Sequence, residues 1–295
     1  MERNNSCKKE VFVELLLWSY DWYYTILFFI AYSVGGWVCE SVYCSVLDGR
    51  VINRGFLNGP VCPIYGTGAM LVVIFLLPVQ NSLLLVFLLG MVMTSALEYL
   101  TSVVMEKLFH ARWWDYSQHR FHIHGRVCLL NSTLFGLMSM VLMKWIHPFF
   151  SRVILSLPPM TAKVLACSSL IVLAADTVVT VHMTLSLNGK LAELRELADE
   201  LKYSTEARKW YYEHRIHQTL KAIREQIGEE HSDLAERTEK RLHRLAERRF
   251  GHERLLDAFP TMRHIKHKEQ LEALREEWKI QRRELKERVH RRKAD

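Results

Sequence analysis

From Gly55 to Leu97 the chain runs 43 residues without a single Asp, Glu, Lys or Arg. A soluble domain of ordinary size does not read this way, because the outer face of each helix or strand needs polar side chains. A bilayer core roughly 30 Å thick takes about 20 mostly apolar residues per helix, so the stretch holds two crossings, broken between Pro78 and Ser82. The protein is therefore expected to sit in a membrane, and a soluble, secreted or nuclear reading is excluded.

Five crossings can be bounded by charge and by Pro/Gly punctuation. They run from about Trp22 to Leu47, Pro63 to Val79, Ser82 to Met105, Val127 to Trp145 and Met160 to Leu187. Glu40, Glu98 and Asp176 fall inside the first, third and fifth. An acid at a helix centre costs about 2.5 to 3.5 kcal/mol on insertion scales. The surrounding Leu, Val, Ile and Met outweigh that cost, and such acids should face the bundle interior or a wet path. On the first helix Ser33, Gly36, Glu40 and Cys44 form a small, polar stripe suited to close packing.

The rest of the chain is a different material. The last 108 residues hold 49 of the chain's 71 Asp, Glu, Lys and Arg side chains. The expected fold class is all-α: an amphipathic lead-in over 1–21, a membrane helix bundle over 22–187 and a charged helical tail over 188–295. In the tail Leu191, Leu194, Ala198 and Leu201 repeat at helical spacing, as do Ile216, Leu220, Ile223 and Ile227, and then Leu271, Leu274, Trp278 and Leu285. Gly228, Gly251 and Pro260 interrupt the pattern. The simplest architecture is a helix continuing out of the fifth crossing and a hairpin near Phe259 and Pro260, giving an antiparallel or oligomeric coiled coil. Acids and bases alternate instead of forming a basic stripe, so the charge reads as a solvated helix face and not as a nucleic-acid surface.

Loop charge sets the expected orientation. Arg50, Arg54, Lys107, Arg112, Arg120, Arg126, Lys190, Arg195, Lys202 and Arg208 all fall on one side of a five-crossing layout, which makes the tail cytoplasmic and the N-terminus external. Cys39, Cys44, Cys128 and Cys167 fall in or beside apolar segments and no CxxC pair occurs, so the cysteines read as small packing residues and not as a disulfide framework.

Three regions could carry function. The first, Arg54 to Gly68, holds four glycines and two prolines, Pro60 and Pro63, in fifteen residues. It makes a poor regular helix and reads either as a re-entrant segment lining a solute site or as a tight interfacial turn. Asn58, Cys62 and Tyr65 are its candidate contact residues. The second carries Glu98, Tyr99 and Glu106, then Arg112, Trp113, Trp114, Asp115 and Tyr116. The tryptophans suit an interfacial belt, whereas Asp115 wants a cation such as Arg54, Arg112 or Arg126. For Glu40 and Glu98, an ion pair with a loop arginine and a role in binding a cation or polar solute stand level. The third region opens the fourth crossing at His124, Gly125, Arg126, Val127 and Cys128. His119, His122 and His124 lie close by, but their spacing matches no defined metal-ligand pattern. No cofactor is implied. The chain lacks GxxxxGK[ST], HExxH and GxSxG, so no phosphate-binding loop, zinc protease helix or serine-nucleophile elbow points to an enzyme.

Together, RGFLNGPVCPIYGTGA at 54–69, LEYLTSVVMEKLFHARWWDYS at 97–117 and HGRVCLLNSTLFG at 124–136 resemble the permease family known as ABC-transporter type IV. The resemblance covers roughly residues 25–150. Its matching positions are Glu40, Arg54, Gly55, Gly59, Pro60, Cys62, Pro63, Tyr65, Gly66, Gly68, Glu98, Tyr99, Glu106, Trp114, Asp115, Tyr116, Gly125, Arg126 and Cys128, with His122 standing where the family favours Asn. It implies a bacterial cytoplasmic-membrane subunit of a transporter that depends on a separate ATPase. The expectation is thus a permease-like protein handling a small polar or ionic solute, with membrane lipid, an ATPase subunit and further copies through the tail as candidate partners. A membrane-anchored scaffold or signalling protein, recruiting partners through the tail, is the competing reading.

Overall fold

The computed structural model describes residues 21–202, 240, 241, 244, 245 and 250–294. The lead-in over 1–20 and the repeat from Ile216 to Ile227 lie outside them. The chain divides into two compact units, one of residues 21–108 and Trp113–Thr180, the other of Phe109–Arg112 and the residues from Val181 onward.

The first unit begins with α1 (Trp22–Asp48), which ends at Gly49 in the left-handed region, φ +63°. Next comes α2 (Pro63–Leu76), with Pro63 in the first turn where its missing N–H costs nothing, extended by a 3-10 turn over Leu77–Val79. The long α3 (Leu83–Phe109) follows. After the short strand β1 (Ala111–Arg112), an antiparallel hairpin of β2 (His122–Ile123) and β3 (Val127–Cys128) leads into α4 (Leu129–Val141). A π-helical turn over Leu142–Ile146 joins α4 to α5 (His147–Leu155). Pro148 accounts for that widened turn, since its ring clashes with the carbonyl four residues earlier and it donates no hydrogen bond. The last helix to enter this unit is α6 (Pro159–Lys202).

Among the described residues, four helices are long and apolar enough to cross a membrane: Trp22–Val46, Leu83–Phe109, Leu129–Leu155 and Pro159–Leu197. The fourth crossing expected from sequence, Val127 to Trp145, thus runs on through the π turn to Leu155. Pro63–Val79 is a shorter apolar helix. Leu84, Leu88, Val92, Leu130, Leu134, Ile171, Val172 and Val178 are exposed. In water such a surface would be an aggregation hazard; against acyl chains it is the expected outer face.

The core joins Phe28 and Tyr32 of α1 to Val72, Val73 and Leu76 of α2, Val86, Leu142, Ile154, Ala162 and Ala166. Small residues let the helices approach. A side chain at Gly66 would collide with the Ser33 hydroxyl, one at Gly36 with the Tyr65 ring, and one at Gly136 would come within 2.9 Å of Phe87. The segment between α1 and α2 turns back along α1. Ile52 N–H donates to Ser45 Oγ at 3.0 Å, Arg54 N–H to Ser41 Oγ at 3.3 Å, and Cys62 N–H to the Ser33 carbonyl at 3.0 Å. From Ser45 to Ser33 is about 18 Å at 1.5 Å per helical residue. Non-helical backbone therefore runs to the middle of α1 before α2 begins.

The second unit buries Leu187, Leu191, Leu194 and Leu197 of α6, Leu255 and Leu256 of α7 (Phe250–Ala258), and Leu271, Leu274 and Trp278 of α8 (Lys268–Ala294). The chain turns at Phe259 and Pro260 and enters strand β4 (Arg263–His264), which pairs antiparallel with β1. Arg282 Nη2 reaches Asp257 at 2.8 Å and also bonds Glu253, tying α8 to α7. Gly251, expected to interrupt the helix, lies inside α7, because its missing side chain makes room for Met183.

Candidate functional site

The polar residues of the first unit gather where the returning segment and the 113–128 loop lie against α1, α3 and α6. On α1, Glu40 Oε1 accepts from Arg54 Nε at 3.2 Å, so the first acid has a loop arginine as its partner. The Glu40 carboxylate also engages the Tyr65 hydroxyl. Asn53 braces the same segment: its Oδ1 accepts from Trp37 Nε1 at 2.7 Å, and its Nδ2 donates to the Asn58 carbonyl at 2.7 Å.

On α3, Glu98 does not meet an arginine. It is 6% exposed, and its Oε1 accepts the Tyr116 hydroxyl at 3.1 Å. Burial and the Glu98 carboxylate hold the Tyr116 phenol well above its usual range, so it stays protonated and donates. One helical stretch further on, Arg126 Nη2 reaches Glu106 Oε2 at 2.7 Å, Arg126 Nη1 donates to Ser102 Oγ at 3.0 Å, and the guanidinium lies 5.8 Å from the centroid of the Tyr99 ring. Trp114 Nε1 donates to the Arg126 carbonyl at 2.9 Å. Asp115 Oδ1 accepts the Ser117 N–H at 3.0 Å in an Asx turn. Tyr116 N–H donates to the Gly125 carbonyl at 2.8 Å, and Gly125 sits at φ +70°, where a side chain would be strained and would lie 2.7 Å from Asp115 Oδ1.

Asn58 belongs to a third cluster. Its backbone N–H and its Nδ2 both donate to Asp176 Oδ1 at 3.0 Å, and the Gly59 N–H donates to Asp176 Oδ2 at 2.7 Å. Thr180 Oγ1 adds a donor to Asp176 Oδ1 at 3.2 Å. Asp176 thus clamps the tip of the returning segment to α6. Its signal in the sequence was that of a lone acid in an apolar crossing; Asn53, Ser41 and Ser102 gave no signal, since polar residues at segment ends are common.

Most of the candidate residues therefore meet. Glu40 acts electrostatically on Cys62, Tyr65, Glu98 and Tyr116, which places all five within one polar layer. Cys62 is a free cysteine, 5% exposed, and packs as a small apolar group. Arg112 is set apart: it stands in β1 opposite Arg263, within the second unit. Trp113, read from the sequence as a belt residue, is 3% exposed and meets Phe56 edge-on at 5.0 Å between centroids. His122 Nδ1 accepts the Gly125 N–H at 3.1 Å and His124 Nδ1 lies 3.2 Å from the Tyr99 hydroxyl. Among the described residues no group of three His, Cys, Asp or Glu side chains could hold a metal ion.

Membrane-length apolar helices with acids and arginines paired in half-buried positions define a multi-pass membrane protein. A family model described as "Putative ABC-transporter type IV" matches residues 27–181, more than half of the chain, and the protein belongs to that family. No curated protein and no solved structure matches it.

Proposed function

We propose that this chain is a permease subunit that handles a small polar or ionic solute and depends on a separate ATPase. The observation that carries the reading is the polar layer at Glu40, Arg54, Tyr65, Glu98 and Tyr116, set beside non-helical backbone that runs to the middle of α1. Irregular backbone at membrane depth is tolerated only where protein or a wet cavity covers it, and discontinuous segments at mid-depth are where transporters hold their solutes. In this reading the chain crosses five times, the second crossing made of an extended half (49–62) and a helical half (63–79). The tail is cytoplasmic, and the chain itself catalyses no reaction.

Two measurements test this. Purification from mild detergent should recover a nucleotide-binding subunit with the chain, and repeated recovery of none removes the ATPase dependence. In proteoliposomes of the recovered complex, Arg54→Glu should abolish solute flux and Glu40→Arg combined with Arg54→Glu should restore part of it; equal flux in all three forms removes the site.

A scaffold reading draws on the second unit, whose own core of Leu191, Leu194, Leu255, Leu271, Leu274 and Trp278 is what a recruitment module requires. It predicts that Leu274→Asp abolishes partner recovery and signalling while Arg54→Glu changes neither; the permease reading predicts loss of flux with Arg54→Glu.

A further inference from the structure

We infer that the polar layer binds a monovalent ammonium-type cation on Glu98, an inference that rests on the permease reading and narrows its solute class. Three acids lie on α1 and α3, Glu40 and Glu98 in the layer and Glu106 two turns further along α3. Two of them hold guanidinium groups, Glu40 with Arg54 at 3.2 Å and Glu106 with Arg126 at 2.7 Å. Glu98 holds only the Tyr116 hydroxyl, on Oε1; its Oε2 is buried and has no hydrogen-bond partner among the described residues. Another acid, Glu40, acts on it electrostatically. Asp176, the remaining acid, is already satisfied by the donors of Asn58, Gly59 and Thr180. Buried carboxylate oxygens are rarely left without donors, and Glu98 Oε2 is such an oxygen.

The surroundings define what would complete it. A single unmatched carboxylate suits one positive charge, and no group of three acid, His or Cys side chains is present among the described residues to hold a divalent ion. An alkali cation must replace its water shell with several oxygens. Glu98 offers one open oxygen and the adjoining Tyr116 phenol, whereas an N–H donor needs one acceptor. Tyr116 meets Glu98 through its hydroxyl, and Glu40 acts on both the Tyr65 and the Tyr116 side chains; aromatic side chains near a carboxylate suit a bound ammonium group. Glu98 is 6% exposed in this structure, so a ligand reaches it only when a covering group moves aside.

The test uses the full chain in lipid nanodiscs with radiolabelled methylammonium as the probe. Saturable binding is expected, displaced by ammonium at lower concentration than by potassium or sodium. Glu98→Gln should weaken it at least tenfold and Glu98→Asp by less. Should the Gln form fail to fold, as judged by gel filtration, the Asp form still reads out as a shifted affinity with a folded protein. Wild-type binding in Glu98→Gln overturns the site, and preferred displacement by potassium overturns the ammonium class. Saturable binding of methylphosphonate or of a neutral polyol with none of methylammonium overturns the cation while the polar-solute reading stands. Absence of binding by all three classes removes both.

Discussion

Asp176 shows what one acid can do in an apolar helix. A carboxylate has two oxygens and no donor, and here both accept N–H groups from the turn at Asn58 and Gly59. Asp176→Asn keeps one acceptor and places an amide donor against an N–H, so the turn should be destabilised by about 1–3 kcal/mol. Amide exchange at Asn58 and Gly59 is the measurement, with exchange faster in the variant and unchanged at Val72. The residue scale also marks the limit of reading pairs from sequence. Glu40 and Arg54 were legible as partners because a lone acid in a crossing and an arginine in the next loop call for each other. Glu98 invited the same reasoning and meets Tyr116 instead, since a phenol carries no charge to flag it. Trp113 resembled a belt residue because aromatic type alone does not say whether a ring turns to lipid or to Phe56.

Elements were legible where hydropathy is strong and hidden where backbone leaves regular paths. The four long apolar helices follow from composition, whereas the returning segment was left open between two geometries, because Gly and Pro announce irregular backbone without saying where it goes. The hydrogen bonds to Ser45, Ser41 and the Ser33 carbonyl show its path, back along α1. The β1 and β4 strands, two residues each, were invisible for the opposite reason: a pairing so short has no period. Their ladder carries a pH dependence. His264 is buried, its Nδ1 accepts the His267 N–H at 3.1 Å, and burial together with His267, His110 and Lys266 lowers it from 6.5 to about 4. Below about 6.5 the unfolded chain takes up a proton that the folded one refuses, so stability is complete above that pH and falls as the pH drops toward 4. The Ile265 amide, bonded to the His110 carbonyl, should lose protection across this window, and His264→Asn, which keeps an acceptor near the Nδ1 position, should reduce the slope, with His267, also held below its ordinary value by burial, keeping part of it.

For the molecule as a whole, the family match ends at residue 181 and the first compact unit at Thr180. The change in charge density suggested a border near 187 instead. Charge records where the chain meets water, while contacts record what folds together, and α6 runs uninterrupted through both borders. The family module is therefore the membrane unit, with the tail as an addition outside the match.

The returning segment bears on how the protein is made. A nascent crossing normally enters the bilayer as a helix that satisfies its own backbone, but residues 49–62 borrow acceptors from α1, and α2 with its 3-10 turn is only 17 residues, 63–79. On the five-crossing reading proposed above, that half-built crossing cannot partition into lipid alone and needs the first helix, already synthesised, to be held beside it. With α1 replaced by a plain polyleucine stretch, an engineered glycosylation acceptor placed at the Gln80 and Asn81 turn should change its modification state, while α3 still inserts. An unchanged glycan pattern would mean that the second crossing needs no such chaperone within its own chain.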